Sequence, residues 1–139
     1  MNRLLIADDE ECLLLAYRKL LSGPGVEIDT AQSAPDAKKL LSINLYSVMI
    51  VDLRLAGSTE MEGLDIIADA HHLYPESKII VLTAYGDNSI KECVLNAGAN
   101  YFFEKPISVL VIRDLLSNLG LYTAKNTHPI FNPKYCSPN

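Results

Sequence analysis

Arg3-Leu-Leu-Ile-Ala-Asp-Asp9 decides how the chain is read. An apolar run this short, ending in two acids, predicts a strand buried on both faces, and such strands belong to parallel sheets. Val48-Met-Ile-Val-Asp52 repeats the pattern and again ends in an acid. If the two strands run parallel, Asp8, Asp9 and Asp52 emerge together at their C-terminal edge, where open α/β sheets bind ligands. Gathering carboxylates costs energy: two of them 4 Å apart repel by about 4 kcal/mol at an effective dielectric of 20. A fold that collects three collects them for a cation.

Outward from these runs, apolar stretches alternate with segments of helical period, the signature of βαβ units. Leu13, Leu14, Tyr17, Leu20 and Leu21 predict a first helix, closed by Ser22-Gly-Pro-Gly25. Val26 to Ala31 predicts the second strand, Ser33 the N-cap of a helix through Leu41, and Tyr46 to Asp52 the third strand. A loop over Leu53 to Glu62 precedes a helix over Gly63 to Tyr74, which Pro75 closes, and a fourth strand over Lys78 to Thr83. Residues 87–97 read as a helix with Ile90, Cys93, Val94 and Ala97 on one face and Gly98 at its left-handed cap. Ala99 to Glu104 is the fifth strand. Lys105-Pro106 then opens a last helix whose Val109, Ile112, Leu116 and Leu119 point inward before Gly120.

At 139 residues and 49% apolar content the chain suits one domain with one core. No apolar run approaches the roughly 18 residues of a membrane span, and acids arrive too early for a secretory signal, so a cytoplasmic protein with no membrane contact is expected. The net charge of −5 argues against direct nucleic acid binding. Cys12, Cys93 and Cys136 lack the spacing of a metal or disulfide framework and read as free thiols. His71-His72 point in different directions on a helix and read as surface residues. A hydrolase triad is disfavoured, because no G-x-S-x-G elbow occurs and His128 falls in the tail. Residues 121–139 carry three prolines and no apolar period, so an irregular tail without an effector domain follows the domain of residues 1–120.

Four strand ends bear polar residues on one edge: Asp8-Asp9, Asp52, Thr83 (followed by Ala84) and Glu104-Lys105 (followed by Pro106). In this order, they resemble the receiver domain of two-component response regulators, over residues 2–119. The resemblance implies a flavodoxin-like, doubly wound α/β fold: a five-stranded parallel sheet of order 2-1-3-4-5 with five helices. It implies that Asp52 is the phosphoacceptor, taking a phosphoryl group from a phosphohistidine as an acyl phosphate. It further implies Mg2+ held by Asp8, Asp9, Asp52 and the backbone carbonyl of Arg54. Lys105 would pair with Asp52 at rest and with a phosphoryl oxygen afterwards, across a Lys105-Pro106 bond that is commonly cis in the family. Thr83 would donate its hydroxyl to the phosphoryl group, and Phe102, three residues before the lysine, would follow it as the second switch residue.

Partners implied are a sensor histidine kinase or a histidine phosphotransfer protein, docking against the first helix. A downstream protein target would bind the surface of the fourth helix, fifth strand and fifth helix. Such a module is a phosphoacceptor rather than an enzyme, with self-phosphorylation and slow autodephosphorylation only. Two departures stand out. The family's glycine eight residues past the acceptor stands here at eleven, as Gly63, with no proline in Leu55 to Glu62, so about three residues are inserted beside the site at small entropic cost. Phe102 replaces the more usual tyrosine. Three alternatives fit less well. A magnesium-dependent phosphatase of haloacid-dehalogenase type wants D-x-D where this chain has Asp52-Leu-Arg54. A flavin carrier wants a phosphate loop where this chain has Asp8-Asp-Glu-Glu11. A degenerate receiver would keep the fold as a phosphorylation-independent interaction module.

Overall fold

In the computed structural model, which describes residues 2–54, 60–84 and 88–123, the chain runs as ten alternating elements. These are β1 (Asn2–Ala7), α1 (Glu11–Leu21), β2 (Val26–Ala31), α2 (Ala34–Ile43), β3 (Val48–Asp52), α3 (Glu60–Leu73), β4 (Lys78–Thr83), α4 (Asn88–Ala97), β5 (Tyr101–Glu104) and α5 (Val109–Asn118). The strands form one parallel sheet of order β2-β1-β3-β4-β5, as expected. Side chains alternate across it. Leu5, Ala7, Met49, Val51, Ile79 and Val81 face one layer with Ala37, Leu41, Ile66, Ile67 and Val94 of α2, α3 and α4. Leu4, Ile6, Val48, Ile50, Ile80 and Leu82 face the other, with Leu14, Tyr17 and Leu21 of α1 and Ile112 and Leu116 of α5. Helices thus cover both faces, which is why the central strands are apolar throughout rather than alternating.

Local chemistry moved several boundaries. α3 begins at Glu60, three residues before the expected Gly63. Gly63 serves a close approach instead: a Cβ there would lie 2.3 Å from the Leu53 carbonyl oxygen. α5 begins at Val109 rather than at Lys105-Pro106, because Ser108 is the N-cap, its hydroxyl accepting from the Leu110 N–H at 3.1 Å. β5 begins at Tyr101, since Ala99 N–H donates back to the Val94 carbonyl and closes α4 around Gly98, at φ +124°. The same closure recurs at Gly120, where Leu121 N–H reaches the Leu116 carbonyl.

Leu20 and Cys93, placed on inward faces by periodicity, are exposed, each one position outside the buried stripe of its helix. Cys12 is also exposed and free, whereas Cys136 and His128 lie outside the described residues. His71 and His72 are exposed, as expected. The packed body extends past Gly120: Leu121 is buried, the Tyr122 hydroxyl donates to the Leu21 carbonyl, and Thr123 N–H donates to the Pro24 carbonyl. Among the described residues no helix is long and apolar enough to cross a membrane.

Candidate functional site

β1 and β3 run in register with Ala7 opposite Val51, so the next residues, Asp8 just past β1 and Asp52 at the end of β3, stand side by side at the sheet edge. Each then turns in the same way. Asp8 Oδ1 accepts the Glu10 N–H at 2.9 Å, and Asp52 Oδ1 accepts the Arg54 N–H at 3.1 Å. A carboxylate bonded to the N–H two residues on is a local turn signal written in the sequence. The other oxygens converge on one cation: Lys105 Nζ lies 2.9 Å from Asp8 Oδ2 and 3.1 Å from Asp52 Oδ2. Resemblance placed Lys105 on Asp52; that it bridges Asp8 equally was not legible, because it depends on how β5 approaches β1 across two intervening strands.

Asp8 and Asp52 are buried and Asp9 is exposed, yet oxygens of all three lie within 4.8 Å of one another. Three hard oxygen donors against one ammonium leave net negative charge in a shared space, a donor set suited to a magnesium-sized cation. Burial raises the Asp52 carboxyl above its ordinary range and neighbouring Asp8 adds to this, while the Arg54 N–H and Lys105 oppose it. For Lys105, burial works against the ammonium but is outweighed by Asp8 and Asp52, which hold it protonated above the usual lysine range.

The remaining expected residues sit around this centre. Thr83 ends β4, fully buried, and its carbonyl accepts the Lys105 N–H at 2.8 Å. The Lys105–Pro106 peptide is cis. Phe102 pairs with Val81 and packs, half-buried, on the α3 and α4 side, whereas Tyr101 and Phe103 face α1 and α5. Arg54 is exposed at the turn after Asp52, and Leu55 to Thr59, part of the inferred insertion, lie outside the described residues. Tyr17 is a neighbour that periodicity classed only as core. It is buried on α1, and its phenol, raised by burial, feels the charges of Lys105, Asp8, Asp52 and Glu10.

Comparison with known proteins agrees with this geometry. Residues 4–117 match the response regulator receiver domain. The chain is 33% identical over 107 residues to the alginate biosynthesis transcriptional regulatory protein AlgB of Pseudomonas aeruginosa, a match covering 77% of this chain and 23% of AlgB. It is 32% identical over 116 residues to the photosynthetic apparatus regulatory protein RegA of Rhodovulum sulfidophilum, covering 83% and 62%. The chain therefore spans less than two thirds of either relative. Among solved structures, a CheY-like receiver domain protein from Methanospirillum hungatei superposes with a TM-score of 0.76 at 26% identity, over 86% of this chain and 94% of that one. A Burkholderia pseudomallei response regulator with a phosphorylated aspartic acid, calcium ion and citrate superposes at 0.74 with 27% identity, over 89% and 68%.

Proposed function

Because the chain belongs to the response regulator receiver domain family, we propose that Asp52 accepts a phosphoryl group from a phosphohistidine and that the domain switches its output surface in response. The observation that carries this reading is the convergence of Asp8, Asp52 and Lys105, with the Asp9 carboxylate alongside. An Asp52 oxygen attacks phosphorus, the bond from phosphorus to the donor imidazole nitrogen breaks, and its electron pair returns to the ring, which is then protonated. Asp52 must be ionised to attack, and Lys105 and the Arg54 N–H favour that form.

Asp8, Asp9 and Asp52, with the Arg54 backbone carbonyl, would hold Mg2+, which when bound would neutralise the phosphoryl oxygens. Lys105 already sits at hydrogen-bond distance from Asp52, so it needs little movement to pair with a phosphoryl oxygen there. Thr83, at the neighbouring strand end, supplies a hydroxyl donor, and Phe102, beside Val81, supplies the packing response. Phosphorylation then shifts a two-state population at the surface of α4, β5 and α5. The donor class is a sensor histidine kinase or a histidine phosphotransfer protein, and the net charge of −5 suits protein contact better than nucleic acid contact at this domain.

The test is incubation of wild type and Asp52→Asn with Mg2+ and acetyl phosphate, read by intact mass and by amide chemical shifts. Wild type should gain one phosphoryl group and shift signals on α4, β5 and α5, and Asp52→Asn should do neither. A wild type that gains no phosphoryl group, and shifts nothing with beryllofluoride, overturns the proposal.

A further inference from the structure

Tyr17 is only 5% exposed, yet among the described residues its hydroxyl has no hydrogen-bond partner. The other fully buried phenol, Tyr46, donates to Asp29. A buried hydroxyl left unbonded destabilises a fold, so its place in the molecule calls for a reason.

Two local rules fix that place. Alternation carries the face of Leu4 and Ile6, of Val48 and Ile50, and of Tyr101 and Phe103 onward to Asp8, Asp52 and Lys105, each two residues further along. Tyr17 packs against this same face. It is also the seventh residue of α1, about 9 Å from Glu11 at roughly 1.5 Å per residue, and helix side chains lean toward the N-terminus, here toward Asp8. The phenol therefore runs back beneath the carboxylates. Burial, above all, raises it; Lys105 opposes this, and Asp8, Asp52 and Glu10 add to it, so the hydroxyl keeps its proton beside those charges.

The bonds of Asp8 show what such a donor is for. Asp8 is 2% exposed; its Oδ1 takes the Glu10 N–H at 2.9 Å and its Oδ2 takes Lys105 Nζ at 2.9 Å. When Lys105 turns to a phosphoryl oxygen, the Oδ2 of this buried carboxylate loses its ammonium, and an uncompensated buried charge holds the lysine back. We infer that Tyr17 is a positioning residue whose hydroxyl donates to Asp8 Oδ2 as Lys105 leaves, releasing the ammonium to the phosphoryl group. The departure of Lys105 rests on the proposed function; the capacity of the hydroxyl to replace it does not. A carboxylate offers about four acceptor positions, so this bond leaves Asp8 able to hold Mg2+ as well.

Two measurements test this, the first free of phosphoryl chemistry. In urea denaturation without Mg2+, Tyr17→Phe should not lower the stability of the wild type, since no bond is lost at rest. In a Lys105→Met background, where Asp8 already lacks its ammonium, the same substitution should lower the folding constant roughly tenfold, the worth of one hydrogen bond to a charged group. A packing role acts alike in both backgrounds, and equal effects overturn the inference. In beryllofluoride titrations with Mg2+, followed by amide shifts of Phe102 and Lys105, Tyr17→Phe should weaken binding by a similar factor. Binding as tight as that of the wild type overturns the release of Lys105. A wild type that binds no beryllofluoride overturns the proposed function instead, and the urea comparison then still decides whether the hydroxyl serves Asp8.

Discussion

The two ends of the sheet are built from the same strands and treat polar groups in opposite ways. At the end where the strands start, polar groups pair within the fold: Ser47 N–H takes the Arg3 carbonyl, Lys78 N–H the Ser47 carbonyl, and the Ser77 hydroxyl the Tyr46 carbonyl. The buried Tyr46 hydroxyl donates to Asp29 at 2.7 Å, and Asp29 meets Arg3 at 3.3 Å in partial contact with water. At the end where the strands finish, two buried carboxylates share one ammonium beside a third acid. One end closes its chemistry within the fold; the other gathers three carboxylates around one ammonium, the arrangement on which the proposed phosphoryl transfer rests. Buried charge left partly compensated costs stability, and proteins carry such costs where function needs them.

The comparison breaks first at Lys105. Lys105→Met keeps the stem and removes the shared cation, leaving Asp8 and Asp52 to repel. The expected loss is about 2–3 kcal/mol, below the usual cost of breaking a buried pair because Lys105 keeps some contact with water. In urea denaturation Mg2+ should restore part of this loss, and a variant indifferent to Mg2+ would mean that the carboxylates do not form a cation site. Gly63→Ala should cost about 1–3 kcal/mol, since its methyl meets the Leu53 carbonyl. Because Leu53 follows Asp52, the phosphorylation rate should fall with it, and a rate unchanged beside lost stability would separate the α3 contact from the site.

Tyr46→Phe probes the closed end and should cost about 1 kcal/mol with no response to Mg2+. It also carries a pH signature. Burial first, and then the Asp29 carboxylate, raise the Tyr46 phenol above its ordinary value. The folded state therefore keeps this proton after the unfolded chain has lost it, a contribution present below about pH 10 and lost as pH rises through the folded value. Wild-type stability should fall above that pH, with Lys105 acting in the same sense, and Tyr46→Phe should show a shallower fall. The smallest effect expected is Ser108→Ala, about 0.5–1 kcal/mol by loss of the α5 cap, measured by thermal melting.

Most of the fold was legible because its signals are local. Strand runs such as Leu4 to Ala7 and Val48 to Val51 are apolar on both faces only when helices cover both faces, so the doubly wound sheet follows from short-range pattern. The errors fell where a local signal had two readings. Pro106 is an acceptable first helical residue, but Ser108 offered a hydroxyl to the Leu110 N–H and took the cap. Gly63 reads as the first residue of the third helix, yet it lies inside that helix and forms a contact surface for Leu53.

By itself the sequence determined the strand and helix order, the sheet edge on which Asp8, Asp9, Asp52, Thr83 and Lys105 gather, and the family whose chemistry they suit. Periodicity and strand ends are properties of neighbours along the chain, so they survive without coordinates. Only the tertiary structure decided that Lys105 bridges Asp8 as well as Asp52, that Gly63 lies against Leu53, and that Leu121 and Tyr122 pack beyond the last helix. Those contacts join residues far apart in sequence, and their distances depend on strand twist and helix packing, which no local pattern encodes.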